Sequence, residues 1–236
     1  AGTIKMSMEL PITKLCLCVL SQEELVKSDS VDTPMLPTPL RKESSRLIPQ
    51  SEFDYLSVVG SLLHISNCVR CDISYAVGNL ARFSAAPGPT HVCAVKRCLQ
   101  YLYATRSLGI TYSRDLSGSQ HNVPLMYEGA KHPLDTGSNR LQTFVDSDYA
   151  ADETRRSTMG GVVMLNGGPI AWFSVLGKTV ATSTCEAEVN AAVVAAKDAV
   201  HIQRILVDLG VCDGTQPLQI AEDNAACIAQ AQAGLR

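Results

Sequence analysis

Residues 182–200 read TSTCEAEVNAAVVAAKDAV, an alanine-rich stretch whose opening turn carries two glutamates two residues apart. At about 100° per residue, Glu186 and Glu188 point roughly 200° apart and cannot share a helix face. Extending the wheel to Leu209 brings Glu186, Asn190, Lys197, His201, Arg204 and Asp208 within roughly 60° of one another, a face built for water. The opposite face collects Ala191, Ala195, Ala199, Ile202, Leu206 and Leu209, and Glu188 falls in its middle. Glu186 has a local use, because Ser183 and Glu186 have the S-x-x-E spacing of a capping box. Glu188 has little: a first-turn acid gains only ~0.3–1 kcal/mol from the helix dipole, less than burying an unpaired carboxylate costs. A core-facing Glu188 therefore needs a cation, supplied either by an arginine at the sheet edge or by a metal.

The flanks decide what this helix connects. Residues 141–145 read as a strand ending at Asp146, 158–165 as a second, and NGGP at 166–169 is hairpin chemistry leading into a third at 170–174. After the helix Gly210 stops the pattern, 218–223 is a short strand, and 224–232 is helical again, giving the order βββαβα. A long helix between strands makes the crossover of a parallel pair, so the fourth strand lies beside the first with both carboxyl ends at one rim. Asp146 closes the first strand and Asp223 the fourth, at the edge where open α/β sheets bind ligands. Singly these acids have plainer readings, Asp146 as a turn residue with Asp148 its solvated neighbour, and Asp223 as the N-cap of the last helix. Together, Asp146, Glu188 and Asp223 converge without matching bases, and a divalent cation relieves their repulsion. Hard oxygen ligands with open positions suit Mg²⁺ or Mn²⁺, and two such ions about 3.5–4 Å apart serve phosphodiester hydrolysis. The expected chemistry is that of a nuclease.

The rest of the chain bounds the reading. With 236 residues and 46% hydrophobic content a real core is affordable, while a net charge of -3 excludes a global positive field, so any nucleic acid must be held by local patches. Nine cysteines without a regular framework, and no signal-peptide pattern, fit a reducing, intracellular setting, cytoplasmic or nuclear, not secretion. The longest apolar run, near 191–200, is broken by Lys197 and Asp198 and is too short to span a bilayer, so no membrane role is expected. Cys68 and Cys71 form a C-x-x-C with His64 nearby, yet nothing completes a zinc site. Residues 1–50 read as an extended linker, since TPMLPTP at 33–39 forbids a regular helix. A small helical subdomain occupies 51–112, with helices around Tyr55–Ile65, 73–83 and 91–105 separated by PGPT at 87–90. Residues 113–139 are a connection, and 140–236 hold the strands. Lys96, Arg97, Arg106, Arg155 and Arg156 are candidate phosphate contacts, against the plain alternative of a solvated basic face.

Ordered motifs then accumulate: VDTPM (31–35), YLSVVGSLL (55–63), RCDI (70–73), HVCAVKRCLQYL (91–102), DSDYA (146–150), RRST (155–158), CEAE (185–188) and DN (223–224). On these blocks nearly the whole chain resembles the C-terminal part of a copia-type retrotransposon polyprotein, from the end of the reverse transcriptase into the ribonuclease H domain. The resemblance implies an α/β (α+β) ribonuclease H-like mixed sheet of three antiparallel strands, a helix, a parallel fourth strand and a helix, preceded by the helical connection subdomain. It implies that 1–50 is the severed end of the polymerase thumb region, and that Asp146, Glu188 and Asp223 are catalytic metal-binding acids acting through Mg²⁺ or Mn²⁺. Its implied partners are an RNA/DNA hybrid, read by shape and 2′-hydroxyls, and the upstream polymerase domain, in a cytoplasmic virus-like particle or the nucleus. The sequence also departs from the family. A Tyr-x-Asp-Asp polymerase site is absent, a further strand, helix and fourth acid would follow residue 236, SVLGK (174–178) replaces a more polar segment, and Cys71 stands where proline is usual.

Two functions of different class follow: a metal-dependent endoribonuclease acting on the RNA of a hybrid, and a non-catalytic nucleic-acid-binding or assembly remnant that keeps the fold. A third takes Asp146-Ser147-Asp148 as the D-x-D of a glycosyltransferase, but no nucleotide-binding α/β half precedes it.

Overall fold

In the computed structural model, residues 2–43, 46–114, 139–150 and 153–233 are described. The chain divides into two compact units, Met6–Ile110 and Ala1–Lys5 with Thr111–Arg236. A two-stranded ribbon joins β1 (Thr3–Ser7) to β2 (Gly109–Ser113). Most of the connection read at 113–139 lies outside the described residues.

The helical unit contains α1 (Glu9–Val19), α2 (Gln22–Val26), α3 (Tyr55–Cys68), α4 (Ser74–Ala81) and α5 (Pro89–Ala104). Here the structure corrects the sequence reading of residues 1–50 as extended. Ile12, Cys16, Leu20 and Leu25 are buried in one core with Tyr55, Val59, Leu62, Val77, Leu80, Val95 and Leu99. Pro11 disguises this helix, yet it sits in the first turn, where its missing N–H has no intrahelical partner to lose. Prolines do keep 33–39 irregular. Helix α5 begins as PGPT promises, with Pro89 at its start and the Gly88 N–H donating to His91 Nδ1 at 2.8 Å.

Arg70 ties this unit together. It is 1% exposed, pairs through two nitrogens with Asp72, donates from Nη1 to the Thr105 carbonyl (3.0 Å) and from Nη2 to Thr105 Oγ1 (2.7 Å), and lies over the Tyr101 ring. The Tyr101 hydroxyl donates to Asp72 at 2.9 Å. Burial pushes the Asp72 carboxyl up, but the Arg70 hydrogen bonds and charge outweigh it and hold the group below its ordinary value.

The second unit is mixed α/β. Strands β3 (Leu141–Ser147), β4 (Thr158–Leu165) and β5 (Gly168–Leu176) are followed by α6 (Thr184–Asp208), β6 (Gln219–Ala221) and α7 (Ala225–Ala233). The sheet order is β5-β4-β3-β6; β3 and β4, and β4 and β5, are antiparallel, while β3 and β6 are parallel. This is the βββαβα order and crossover read from the sequence. Leu165 pairs with Gly168, leaving a two-residue turn in which Asn166 (φ 51) and Gly167 (φ 84) both take the left-handed conformation that an Asn-Gly hairpin supplies. At Gly161 a Cβ would lie 2.4 Å from the Phe173 ring, which crosses β4 there.

Helix α6 buries Ala187, Ala191, Ala195, Ala199 and Leu206, and Leu141, Val163, Ala199 and Leu206 share one apolar cluster. Small alanine side chains let the helix lie close to the sheet. Leu209, placed on the buried face by the wheel, is 70% exposed, because the helix ends at Asp208 and the wheel stops applying there. Among the described residues no helix is long and apolar enough to cross a membrane.

Candidate metal centre

Asp146 is the sixth residue of β3 and pairs with Gly160 of β4. The parallel register matches Phe144 with Ala221, so continuing both chains by two residues sets Asp146 beside Asp223 at the carboxyl rim. Glu188 comes from the second turn of α6, on the side that packs against the sheet. One carboxylate oxygen from each of Asp146, Glu188 and Asp223 lies within 4.8 Å of the others. Among the described residues no other group of three or more His, Cys, Asp or Glu side chains comes together in this way.

The three acids differ in surroundings. Asp146 and Asp223 are exposed, whereas Glu188 is only 7% exposed and its Oε2 is buried without a hydrogen-bond partner. Burial pushes the Glu188 carboxyl up to about 7; the charge of Glu222 adds to the rise, the Ser147 hydroxyl opposes it, and Asp146 and Asp223 add smaller amounts. A buried carboxylate oxygen facing two more acids, with hard donors only, fits a divalent cation of the Mg²⁺ or Mn²⁺ type.

Local bonds separate these acids from their neighbours. Asn224 Oδ1 accepts from the Ala226 and Cys227 N–H groups, so Asn224 caps α7 and Asp223 is left out of that role. Asp148 Oδ1 accepts from the Thr158 N–H at 2.6 Å, closing the connection between β3 and β4, which ties up the second acid of the D-x-D pattern. Ser183 Oγ accepts from the Glu186 N–H, while the Glu186 carboxylate bonds Thr182 N and Oγ1, one residue before the cap; those bonds hold it below its ordinary value. The carboxylate reaches past the Ser183 N–H that a strict capping box would use.

Sequence reasoning passed over Glu222. It is half-buried, with Oε1 accepting from the Asn224 N–H (3.0 Å) and a buried Oε2 without a partner. Burial raises its carboxyl, the Asn224 N–H opposes this, and the charges of Asp223 and Asp146 add to the rise. The signal lay in strand alternation: adjacent residues at a strand end face opposite sides, so of Glu222 and Asp223 one turns towards the helix.

The basic candidates separate by unit. Arg155 and Arg156 lie in the connection that leaves β3 just past Asp146; Arg155 is exposed at φ 59, and Arg156 donates to Thr154 Oγ1. Lys96 and Arg97 are half-buried in the helical unit, where Lys96 pairs with Glu24 (2.8 Å) and Arg97 donates to Thr33 Oγ1 (3.0 Å). Arg106 lies over the Tyr103 ring. His64 and Cys68 approach within 3.7 Å without forming a three-ligand group. A cavity of about 530 Å³ opens at the opposite edge of the sheet, where Leu141 and Gln219 begin β3 and β6, and the acids do not line it.

The chain is 31% identical over 199 residues to the retrovirus-related Pol polyprotein from transposon TNT 1-94 of Nicotiana tabacum, which covers 80% of this chain and 13% of that protein. It is 29% identical over 212 residues to the retrovirus-related Pol polyprotein from transposon RE1 of Arabidopsis thaliana, 89% of this chain and 13% of that one. The chain belongs to the copia-type retrotransposon polyproteins. It spans about an eighth of the length of these polyprotein relatives. It is also 36% identical over 149 residues to the secreted RxLR effector protein 161 of Plasmopara viticola, 63% of this chain and 90% of that protein. No family model and no solved structure matches this member of the copia-type polyproteins.

Proposed function

We propose that the mixed-sheet unit is a ribonuclease H-like domain that hydrolyses the RNA strand of RNA/DNA hybrids as part of a copia-type polyprotein. The observation that carries this reading is the approach of Asp146, Glu188 and Asp223 to within 4.8 Å, with Glu188 Oε2 buried and unpartnered. The βββαβα order, with its parallel fourth strand, supports the fold assignment.

In this reading the exposed Asp146 and Asp223 and the buried Glu188 would together hold Mg²⁺ or Mn²⁺. Bound there, a divalent ion supplies activation of water and stabilisation of the leaving oxygen. Asp146 and Asp223 are exposed, so a scissile phosphate can approach them from solvent. Arg155 and Arg156, in the connection at that rim, are placed to meet backbone phosphates, and recognition of the hybrid runs through shape and 2′-hydroxyls. Lys96 and Arg97 are the corresponding candidates of the helical unit, available to a phosphate on release from Glu24 and Thr33. The other domains of the polyprotein, its polymerase among them, are the natural partners, inside the cell.

The test is cleavage of a labelled RNA/DNA hybrid with Mg²⁺ by the chain and by Asp146→Asn. Removing a ligand costs at least the roughly 10–100-fold typical of groups one layer further out. Equal cleavage by both proteins rejects the reading.

A second reading, a non-catalytic remnant that binds nucleic acid or serves assembly, is favoured by one observation: the Plasmopara viticola relative, named a secreted effector, matches this chain over 90% of its own length. Salt-dependent hybrid binding without cleavage selects it.

A further inference from the structure

We propose that Glu222 is a fourth carboxylate ligand of the cation site, closing it on the side turned towards α6. This rests on the metal-binding reading of Asp146, Glu188 and Asp223 and adds a residue that reading does not require.

Three observations carry it. First, the β3–β6 pairing ends with Phe144 and Ala221, and continuing both chains by one residue sets Glu222 beside Val145. Val145 is buried on the sheet, and alternation turns position 222 the same way while Asp223 follows Asp146. Second, the Asn224 N–H holds Glu222 Oε1 at 3.0 Å, which orients the carboxylate and leaves Oε2 inside with no partner. Third, the neighbouring acid is in the same condition: Glu188, more than nine-tenths buried, also has an orphaned Oε2. Neither glutamate forms an ion pair with a lysine or arginine among the described residues.

A buried Glu188 and a half-buried Glu222, each with a buried and unpartnered oxygen, are costly unless something sits between them. A proton shared by the pair would relieve only that pair. Asp146, Glu188 and Asp223 already bring oxygens within 4.8 Å of one another, and Glu222, which lies outside that group as it stands, joins it when a cation draws in its free Oε2.

The experiment is calorimetric titration of Mn²⁺ into the full chain, comparing wild type, Glu222→Gln and Glu222→Asp, with Trp172 fluorescence checking the fold of each. The glutamine variant removes the charge and keeps the shape; the aspartate variant keeps the charge and withdraws the oxygen by one methylene. A ligand role predicts that Glu222→Gln weakens Mn²⁺ binding at least about tenfold and that Glu222→Asp weakens it as well. Wild-type affinity in Glu222→Asp leaves only a long-range charge effect and overturns the proposal. Unchanged or tighter binding by Glu222→Gln indicates a shared proton and overturns it too. If wild type takes up no Mn²⁺, the metal reading of the three-acid site falls together with this one, an outcome separate from the other two.

Discussion

Glu188→Gln should stabilise the metal-free protein at high pH while removing its response to divalent cations. In the folded chain the Glu188 carboxyl stands near 7, against an ordinary value of 4.5, chiefly through burial and the charge of Glu222. The folded state therefore holds this proton more tightly than the unfolded chain does. Stability from the neutral acid is fully present below about pH 4.5 and is lost as pH rises through about 7. At about 1.36 kcal/mol for each tenfold change in proton affinity, the ceiling is about 3 kcal/mol, and water at the exposed Asp146 and Asp223 screens part of it, leaving about 1–3 kcal/mol. Trp172, the chain's single tryptophan, lies in β5 and reports unfolding of the mixed-sheet unit. Urea denaturation followed at Trp172 in EDTA, at pH 5 and pH 8, should show wild type losing stability towards pH 8 and Glu188→Gln losing much less. Adding Mn²⁺ at about 100 times its dissociation constant should return about 2.7 kcal/mol to wild type at pH 8 and little to the variant. A variant less stable than wild type at pH 8 in EDTA would refute the reasoning, because it would mean that Glu188 is satisfied by the protein itself.

Arg70→Met strands Asp72 and two oxygens of Thr105, and should destabilise the helical unit by about 3 kcal/mol, read as a lower urea midpoint in far-UV circular dichroism. Replacing Asp72 by Asn in the same chain should recover part of that loss. Gly167→Ala forces a Cβ into φ 84 and should cost about 1 kcal/mol at Trp172, with wild-type stability counting against the type I′ turn. Asn224→Ala removes the cap of α7 and should cost about 1 kcal/mol; an unchanged midpoint would show that the cap contributes nothing.

Much of the mixed-sheet unit was legible because its signals are local. Asn166-Gly167 specifies a two-residue hairpin by the backbone angles it tolerates. Ser183 marks the helix start by the N–H its hydroxyl can accept. The spacing of Ala191, Ala195 and Ala199 shows which side of α6 is buried, and hence the side of Glu188. The first 30 residues were misread for an equally physical reason. Ile12, Cys16, Leu20 and Leu25 make a modest apolar stripe that becomes helix and core only against α3 and α5, and the nearby prolines outweighed it.

The order of elements, the hairpin and the outward or inward sense of each helical residue were determined by the chain's own sequence, since backbone periodicity acts between neighbours. Whether Asp223 or Asn224 caps α7, and whether Glu222 turns inward beside Glu188, was decided only in the tertiary structure. So was the separation of three acids drawn from positions 146, 188 and 223. Such distances depend on how α6 packs on the sheet and on the register of β3 with β6, and no local pattern in the chain encodes either.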